Sequence, residues 1–209
     1  MSSYQKLTIS IFDKGDEVAE IQPKLTPTEL ISAILTEFGQ DLSYLSYTPS
    51  AYQLLRSDGT PLIDDTPVGS QLGGQTRLVL AERVPPTPPH ATLLPTPLYL
   101  RESKSGKVFT LYWSPALVGR SDPSLPDESL LAVSLTGLPH SERVSRRHAR
   151  ITFQGGKYVF ECLADNPVVL RTTDGEIPLT SGRRHQIKPN DVIVLEFSQI
   201  QLHVIQRNT

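Results

Sequence analysis

The chain has 209 residues, of which 38% are hydrophobic and 20% charged, so it is long enough for two domains of ordinary globular composition. No apolar run is long enough to span a membrane, and no basic and apolar leader marks the N-terminus for secretion, so we expect a cytoplasmic protein. The single cysteine, Cys162, excludes an internal disulfide and a multi-cysteine metal site. The net charge of −2 is uneven, because residues 1–84 hold 11 acidic and 6 basic residues while residues 85–209 hold 11 and 14.

The first part of the chain mixes strand and helix patterns. Apolar and polar residues alternate over residues 7–11, and a turn at residues 14–16 leads to a second such stretch, which predicts a β-hairpin. Thr26, Pro27 and Glu29 form a helix-capping pattern and predict a helix that ends at Gly39. Further short strands are predicted at residues 52–55, 61–63 and 77–80.

This order of hairpin, helix and short strands resembles the α+β ubiquitin-like β-grasp fold, and we place that domain at residues 1–83. It is distantly similar to small bacterial ubiquitin-like proteins linked to type VII secretion. A Gly-Gly pair at residues 73–74 precedes the last predicted strand, and a further 135 residues follow it. We therefore expect the domain to bind a second protein rather than to be conjugated through a C-terminal Gly-Gly tail.

A proline-rich segment, residues 84–97, separates this part from the rest of the chain. Proline fixes φ and lacks an N–H donor, so we expect neither helix nor sheet within a stiff, largely polyproline II linker. From residue 98 to 209, short apolar stretches alternate with turn signals and no helical period occurs, which predicts an all-β sandwich. The predicted strands lie at residues 98–101, 108–113, 117–119, 149–153, 158–163, 168–171, 177–179, 192–197 and 200–205.

Four segments of the C-terminal half resemble those of forkhead-associated (FHA) domains. They read LVGR at residues 117–120, RVSRRHA at 143–149, DN at 165–166 and IKPNDVI at 187–193. The resemblance covers about residues 97–206. It implies an FHA-type β-sandwich that binds phosphothreonine peptides.

The residue types in these segments suit a phosphate dianion, which requires a fixed cation and hydroxyl or amide donors. Arg120 offers a guanidinium that can bind two phosphate oxygens at once and stays charged at every working pH. The FHA resemblance implies that the Ser145 hydroxyl donates to the phosphate, and Arg146 can add a further donor. It also implies that Gly119 and His148 support the site structurally.

The resemblance further implies that Asn166 binds the peptide backbone and that Arg143 reads a residue beyond the phosphothreonine, favouring an acidic one. Two neighbours of Asn166 depart from the FHA pattern. Asp165 stands where serine or threonine is usual, and its carboxylate repels a phosphate unless it is turned toward an arginine. Pro167 replaces the usual glycine and restricts Asn166 to extended geometry. We keep Asp165 among the candidate phosphopeptide-binding residues.

Two functions therefore stay open. One is a phosphothreonine-binding adaptor downstream of a Ser/Thr kinase, whose partners are a phosphothreonine-containing protein, such as the kinase or its substrate, and a second protein on the ubiquitin-like domain. The other is a phosphate-independent interaction scaffold, linked to secretion, with a degenerate FHA pocket. The arginines of residues 143–150 also suit nucleic acid, but a pI of about 6.2 and 7% aromatic residues make this the weaker hypothesis.

Catalysis and metal binding find no support in the sequence. No Gly-x-Ser-x-Gly elbow surrounds Ser145 and no orienting acid accompanies it, so we predict no catalytic residue and no enzyme. The five histidines lack the spacing of metal ligands, and no Gly-Lys-Ser/Thr phosphate loop is present. We therefore expect no metal and no cofactor.

Overall fold

The computed structural model describes residues 4–207, which form two compact units divided between Val84 and Pro85. The elements of the first unit are β1 (Gln5–Ile11), β2 (Gly15–Ile21), α1 (Pro27–Phe38), β3 (Tyr52–Arg56), α2 (Val68–Gln71) and β4 (Arg77–Glu82). Its strands form a mixed sheet in the order β2-β1-β4-β3, in which β1 and β4 are parallel and the other neighbours antiparallel. No helix within residues 4–207 has the length and apolar character to cross a membrane.

Helix α1 begins where the capping pattern predicts. The Thr26 hydroxyl accepts a hydrogen bond from the Glu29 main-chain N, and the Glu29 carboxylate accepts one from the Thr26 main-chain N. Leu30, Ile31 and Ile34 lie on its buried face. The prediction of a strand at residues 61–63 is wrong, because residue 61 forms only an isolated bridge with β3. Residue 61 is a proline, which has no N–H to donate to a β-ladder.

The second unit is a β-sandwich. Its strands are β5 (Thr92–Glu102), β6 (Val108–Ser114), β7 (Ala116–Gly119), β8 (Leu131–Ser134), β9 (Ala149–Gln154), β10 (Lys157–Cys162), β11 (Val168–Thr172), β12 (Gly175–Leu179), β13 (Arg184–Ile187), β14 (Val192–Leu195) and β15 (Ile200–Gln206). One sheet has the order β13-β10-β9-β7-β8 and the other β12-β11-β14-β15-β5-β6. Both sheets contribute fully buried side chains to one core, among them Leu100, Val118, Phe160 and Leu202.

The sandwich begins earlier in the chain than the sequence predicts. The expectation that residues 84–97 contain no sheet structure is wrong from Thr92 onward, because Thr92 and Leu93 pair with the end of β6. Pairing resumes at Leu98 after a register shift, and both prolines of β5 fall between these two paired stretches, where no ladder donor is required. The Tyr158 hydroxyl donates a 2.8 Å hydrogen bond to the Thr96 carbonyl inside this irregularity.

Candidate functional site

The side chains of Arg120 and Asn166 and the main-chain N–H of Arg120 all bind residues 143–145, which we call the recognition segment. Its three consecutive carbonyl oxygens all accept hydrogen bonds from elsewhere in the sandwich. Asn166 Nδ2 donates to the carbonyl of Arg143 at 2.9 Å, and Arg120 Nε donates to that of Val144 at 2.6 Å. The Arg120 main-chain N donates to the carbonyl of Ser145 at 3.2 Å. Arg120 and Asn166 are distant in sequence, and both are thus bonded to the recognition segment.

Gly119, the last residue of β7, lies directly against the main chain that follows the recognition segment. A Cβ at this position would stand 2.2 Å from the Arg146 carbonyl oxygen, and 2.8 Å from both the Arg146 carbonyl carbon and the Ser145 carbonyl oxygen. These neighbours are main-chain atoms that cannot rotate away. A glycine is therefore required for β7 to approach this closely.

Arg120 follows that glycine and is held by one edge of its guanidinium. Its Nε is committed to the Val144 carbonyl, whereas its two terminal nitrogens have no hydrogen-bond or ion-pair partner within residues 4–207. The plane of the group is therefore fixed, and its two terminal nitrogens, whose geometry suits two oxygens of an oxyanion, remain available.

His148 lies beneath the recognition segment, with only 1% of its surface exposed. Its Nδ1 accepts a 3.3 Å hydrogen bond from the Ser145 main-chain N, and its own main-chain N donates to the Val118 carbonyl at 2.9 Å. Burial lowers the pKa of His148 from 6.5 to about 4, so the ring is neutral at neutral pH. Because Nδ1 accepts, Nε2 carries the proton, and it is buried without a partner in the described part of the chain.

The Ser145 hydroxyl has no hydrogen-bond partner among the described residues, although the main chain of the same residue is bonded at both ends. His148 contacts Ser145 through the main-chain N and not through the hydroxyl. The geometry therefore does not pair this serine with a base.

The arginines of residues 143–150 divide into two kinds. Arg147 is 15% exposed and forms ion pairs with Asp127 at 2.7 Å and Glu128 at 3.0 Å. Arg150 forms a 2.6 Å ion pair with Glu161. The charges of these two arginines are balanced by acids within the sandwich. Residues 143–150 therefore carry less unpaired positive charge than the four arginines suggest.

The other two arginines are more exposed, although each also has an acidic partner. Arg146 keeps 62% of its side chain exposed and forms an ion pair with Asp122 at 2.9 Å, and Arg143 lies 3.9 Å from Glu142. Arg143 donates through a terminal nitrogen to the Phe197 carbonyl at 3.3 Å. Phe197 is a large exposed hydrophobic residue that sequence reasoning did not single out. The sequence predicted a strand over residues 192–197, but β14 ends at Leu195 and Phe197 lies in the turn between β14 and β15.

Asp165 is exposed and forms no ion pair within residues 4–207. It is thus not turned toward an arginine, which is the condition under which its carboxylate would be compatible with a neighbouring phosphate. Asn166, in contrast, reaches the recognition segment despite the proline that follows it. No group of three or more His, Cys, Asp or Glu side chains in the described residues is arranged to hold a metal ion.

Comparison with known families identifies the C-terminal part of the chain. Residues 117–196 match the sequence model of the FHA domain. They contain Arg120, the recognition segment and Asn166, so the contacts among these residues lie inside the matched region. An FHA domain is therefore present at residues 117–196. A comparison with curated proteins finds no match to the chain.

Several solved structures, FHA domains among them, are similar to this chain over about half its length. The FHA domain of human APLF in complex with an XRCC1 bisphospho peptide is 20% identical over 52% of this chain and 97% of that one, with a TM-score of 0.38. Mycobacterium tuberculosis EmbR in complex with a low affinity phosphopeptide is 22% identical over 55% of this chain and 26% of that one, with a TM-score of 0.39. An FHA domain studied for phosphothreonine-dependent interactions is 21% identical over 55% of this chain and 100% of that one, with a TM-score of 0.41.

Proposed function

We propose that this chain is a phosphothreonine-binding adaptor that acts downstream of a Ser/Thr kinase in the cytoplasm. The observation that carries the proposal is the convergence of Arg120 and Asn166 on the segment that presents Ser145. The FHA domain at residues 117–196 supports it, because phosphopeptide binding is the activity that this family implies.

The available groups match the chemistry of a phosphothreonine. The two terminal nitrogens of Arg120 bind two phosphate oxygens, and the Ser145 hydroxyl donates to another. Arg146, which is exposed although it is paired with Asp122, adds a cation at the rim. Gly119 and His148 hold this arrangement in place without touching the ligand. The chain therefore acts by binding and not by catalysis.

Asn166 has donor and acceptor capacity left for a peptide main chain. Its amide carries two N–H donors and one carbonyl oxygen, and the bond to the Arg143 carbonyl uses one donor. Arg143 itself favours an acidic residue beyond the phosphothreonine. The exposed carboxylate of Asp165 opposes the phosphate and lowers the affinity without closing the site.

The N-terminal unit brings a second protein to the phosphorylated one. The sheet order β2-β1-β4-β3, the hairpin at its start and the capped helix α1 support a ubiquitin-like β-grasp within residues 1–83. Two binding units on one chain raise the effective concentration of one partner near the other.

A titration of the full chain with a degenerate phosphothreonine peptide library tests the proposal. We expect selective binding relative to unphosphorylated and phosphoserine libraries, and loss of that binding in Arg120→Ala. Arg171→Ala serves as a matched control, because Arg171 is an exposed arginine on β11 that is paired only with Glu176. Treating a captured partner with phosphatase should release it.

The alternative is a phosphate-independent scaffold, and the unpaired Asp165 is the observation that favours it. If the chain shows no selectivity but Asp165→Ser with Pro167→Gly restores it, the pocket is degenerate and the scaffold reading is correct. Binding that persists after phosphatase treatment leads to the same conclusion.

A further inference from the structure

The two edges of the N-terminal sheet differ in how their main chain is satisfied. At the β3 edge, the Leu62 N donates to the Leu54 carbonyl at 2.8 Å, and the Arg56 N donates to the Thr60 carbonyl at 2.9 Å. Residues 60–62 therefore cover that edge. At the β2 edge, residues 16–20 make main-chain hydrogen bonds to β1 and to no other part of residues 4–207. Such an uncovered edge is a template for another strand.

An apolar groove of about 390 Å³ lies beside this uncovered edge, between β2 and α1. The buried residues Ile9 and Ile21 contribute to its lining from the sheet, and Leu30 contributes from the helix. Ala19 on β2 and Ala33 on α1 are the small side chains that leave the groove open. Its width is thus set by alanines at positions where larger apolar residues would have filled the gap between strand and helix.

The charged side chains that line the groove are all acidic, and Lys14, which lies outside the lining, is paired with Asp41. Glu17, Glu20 and Glu37 belong to its lining, and no lysine or arginine does within the described residues. A second copy of this chain would bring three more glutamates to the same place, where like charges repel. A segment with lysine or arginine at its ends is complementary instead.

We propose that the groove between β2 and α1 binds an extended apolar segment with basic flanks, contributed by a partner protein, which adds to the sheet next to β2. Its main chain pairs with residues 16–20, and alternate apolar side chains enter the groove. Its flanking lysines or arginines face Glu17 and Glu37. This site is independent of the FHA domain and of its phosphothreonine.

The test uses the full chain and a fluorescein-labelled synthetic peptide with alternating valine and threonine residues between two lysines at each end. Its matched controls carry glutamates in place of the lysines, or N-methyl groups on alternate residues that block strand pairing. We expect the glutamate-flanked peptide to bind about tenfold more weakly at low salt, since each exposed charge pair contributes modestly. We expect the N-methylated peptide not to bind.

Two sets of variants separate the groove from the rest of the surface. Ala33→Trp fills the groove, while Thr36→Trp, which is exposed on the same helix but does not line the groove, is its control. Glu17→Lys combined with Glu37→Lys should reverse the preference between the lysine-flanked and glutamate-flanked peptides. In ¹H–¹⁵N spectra, the shift changes should be concentrated in β2 and α1.

Several results would overturn the proposal. Equal binding of both flanked peptides, or shift changes confined to β3 or to the sandwich, would show that the groove is not the site. A dimer in sedimentation experiments that Ala33→Trp dissociates would show that a second copy, and not a basic partner, occupies the groove.

Discussion

Gly119→Ala tests the contact between β7 and the recognition segment with a single methyl group. The added Cβ would meet the Arg146 carbonyl oxygen at 2.2 Å, whereas carbon and oxygen in contact stand about 3.3 Å apart. The main chain must therefore move by about 1 Å, and overpacking of this kind costs about 1–3 kcal/mol of unfolding free energy. Since hydrogen bonds tolerate only a few tenths of an ångström, we also expect phosphopeptide affinity to fall at least about tenfold.

Urea denaturation and peptide titration of the same variant measure the two effects. Gly155→Ala is the control, because a Cβ there meets nothing within 4 Å although the residue has a φ of +56°. Alanine in this left-handed backbone is strained, so the variant should lose about 1 kcal/mol of unfolding free energy. It should keep full phosphopeptide binding. If Gly119→Ala matches the wild type in both stability and binding, the recognition segment is not held against β7.

Three further predictions concern the same region. Arg120→Ala should weaken phosphopeptide binding about a hundredfold while lowering the unfolding free energy by only about 1 kcal/mol for one lost hydrogen bond, and loss of the fold would contradict its role. His148→Asn keeps an acceptor for the Ser145 main chain. Because unfolded His148 binds a proton below pH 6.5 and the folded residue only near its pKa of about 4, the wild type should lose about 3 kcal/mol more stability than the variant between these pH values. Equal pH slopes in urea titrations would refute this. Arg147→Ala should lower the melting temperature, as two partly buried ion pairs are lost, while Arg143→Ala should leave it unchanged.

Local signals in the sequence predicted most individual elements. The capping pattern at Thr26 and Glu29 is present in the structure, and nearly every stretch of alternating or apolar residues forms a strand. The sequence missed β8 and β13. Strand β13 contains arginine and histidine and forms because β10 pairs with it, while β8 is a four-residue strand that pairs in parallel with β7. Pairing of this kind is decided by distant residues that no local pattern reports.

The same limit applies to the candidate site. The arginine cluster at residues 143–150 was evident in the sequence, but the sequence did not show that Arg147 and Arg150 are ion-paired inside the sandwich. That depends on Asp127, Glu128 and Glu161, which reach Arg147 and Arg150 only after the sandwich has formed. The sequence also could not predict that the Val144 carbonyl accepts a hydrogen bond from Arg120, since every residue carries the same main-chain acceptor. The ligand-binding roles of Arg120, Ser145 and Asn166 stay predictions.

The early start of β5 decides where the chain can be divided. A fragment that begins at residue 98, the predicted boundary of the sandwich, lacks the two residues that pair with the end of β6 and the carbonyl that receives the Tyr158 hydroxyl. It also lacks Leu94, which is part of the core. A stable isolated sandwich must therefore begin upstream of Thr92, and a protease should cut the intact chain within residues 85–91 but not within residues 92–97.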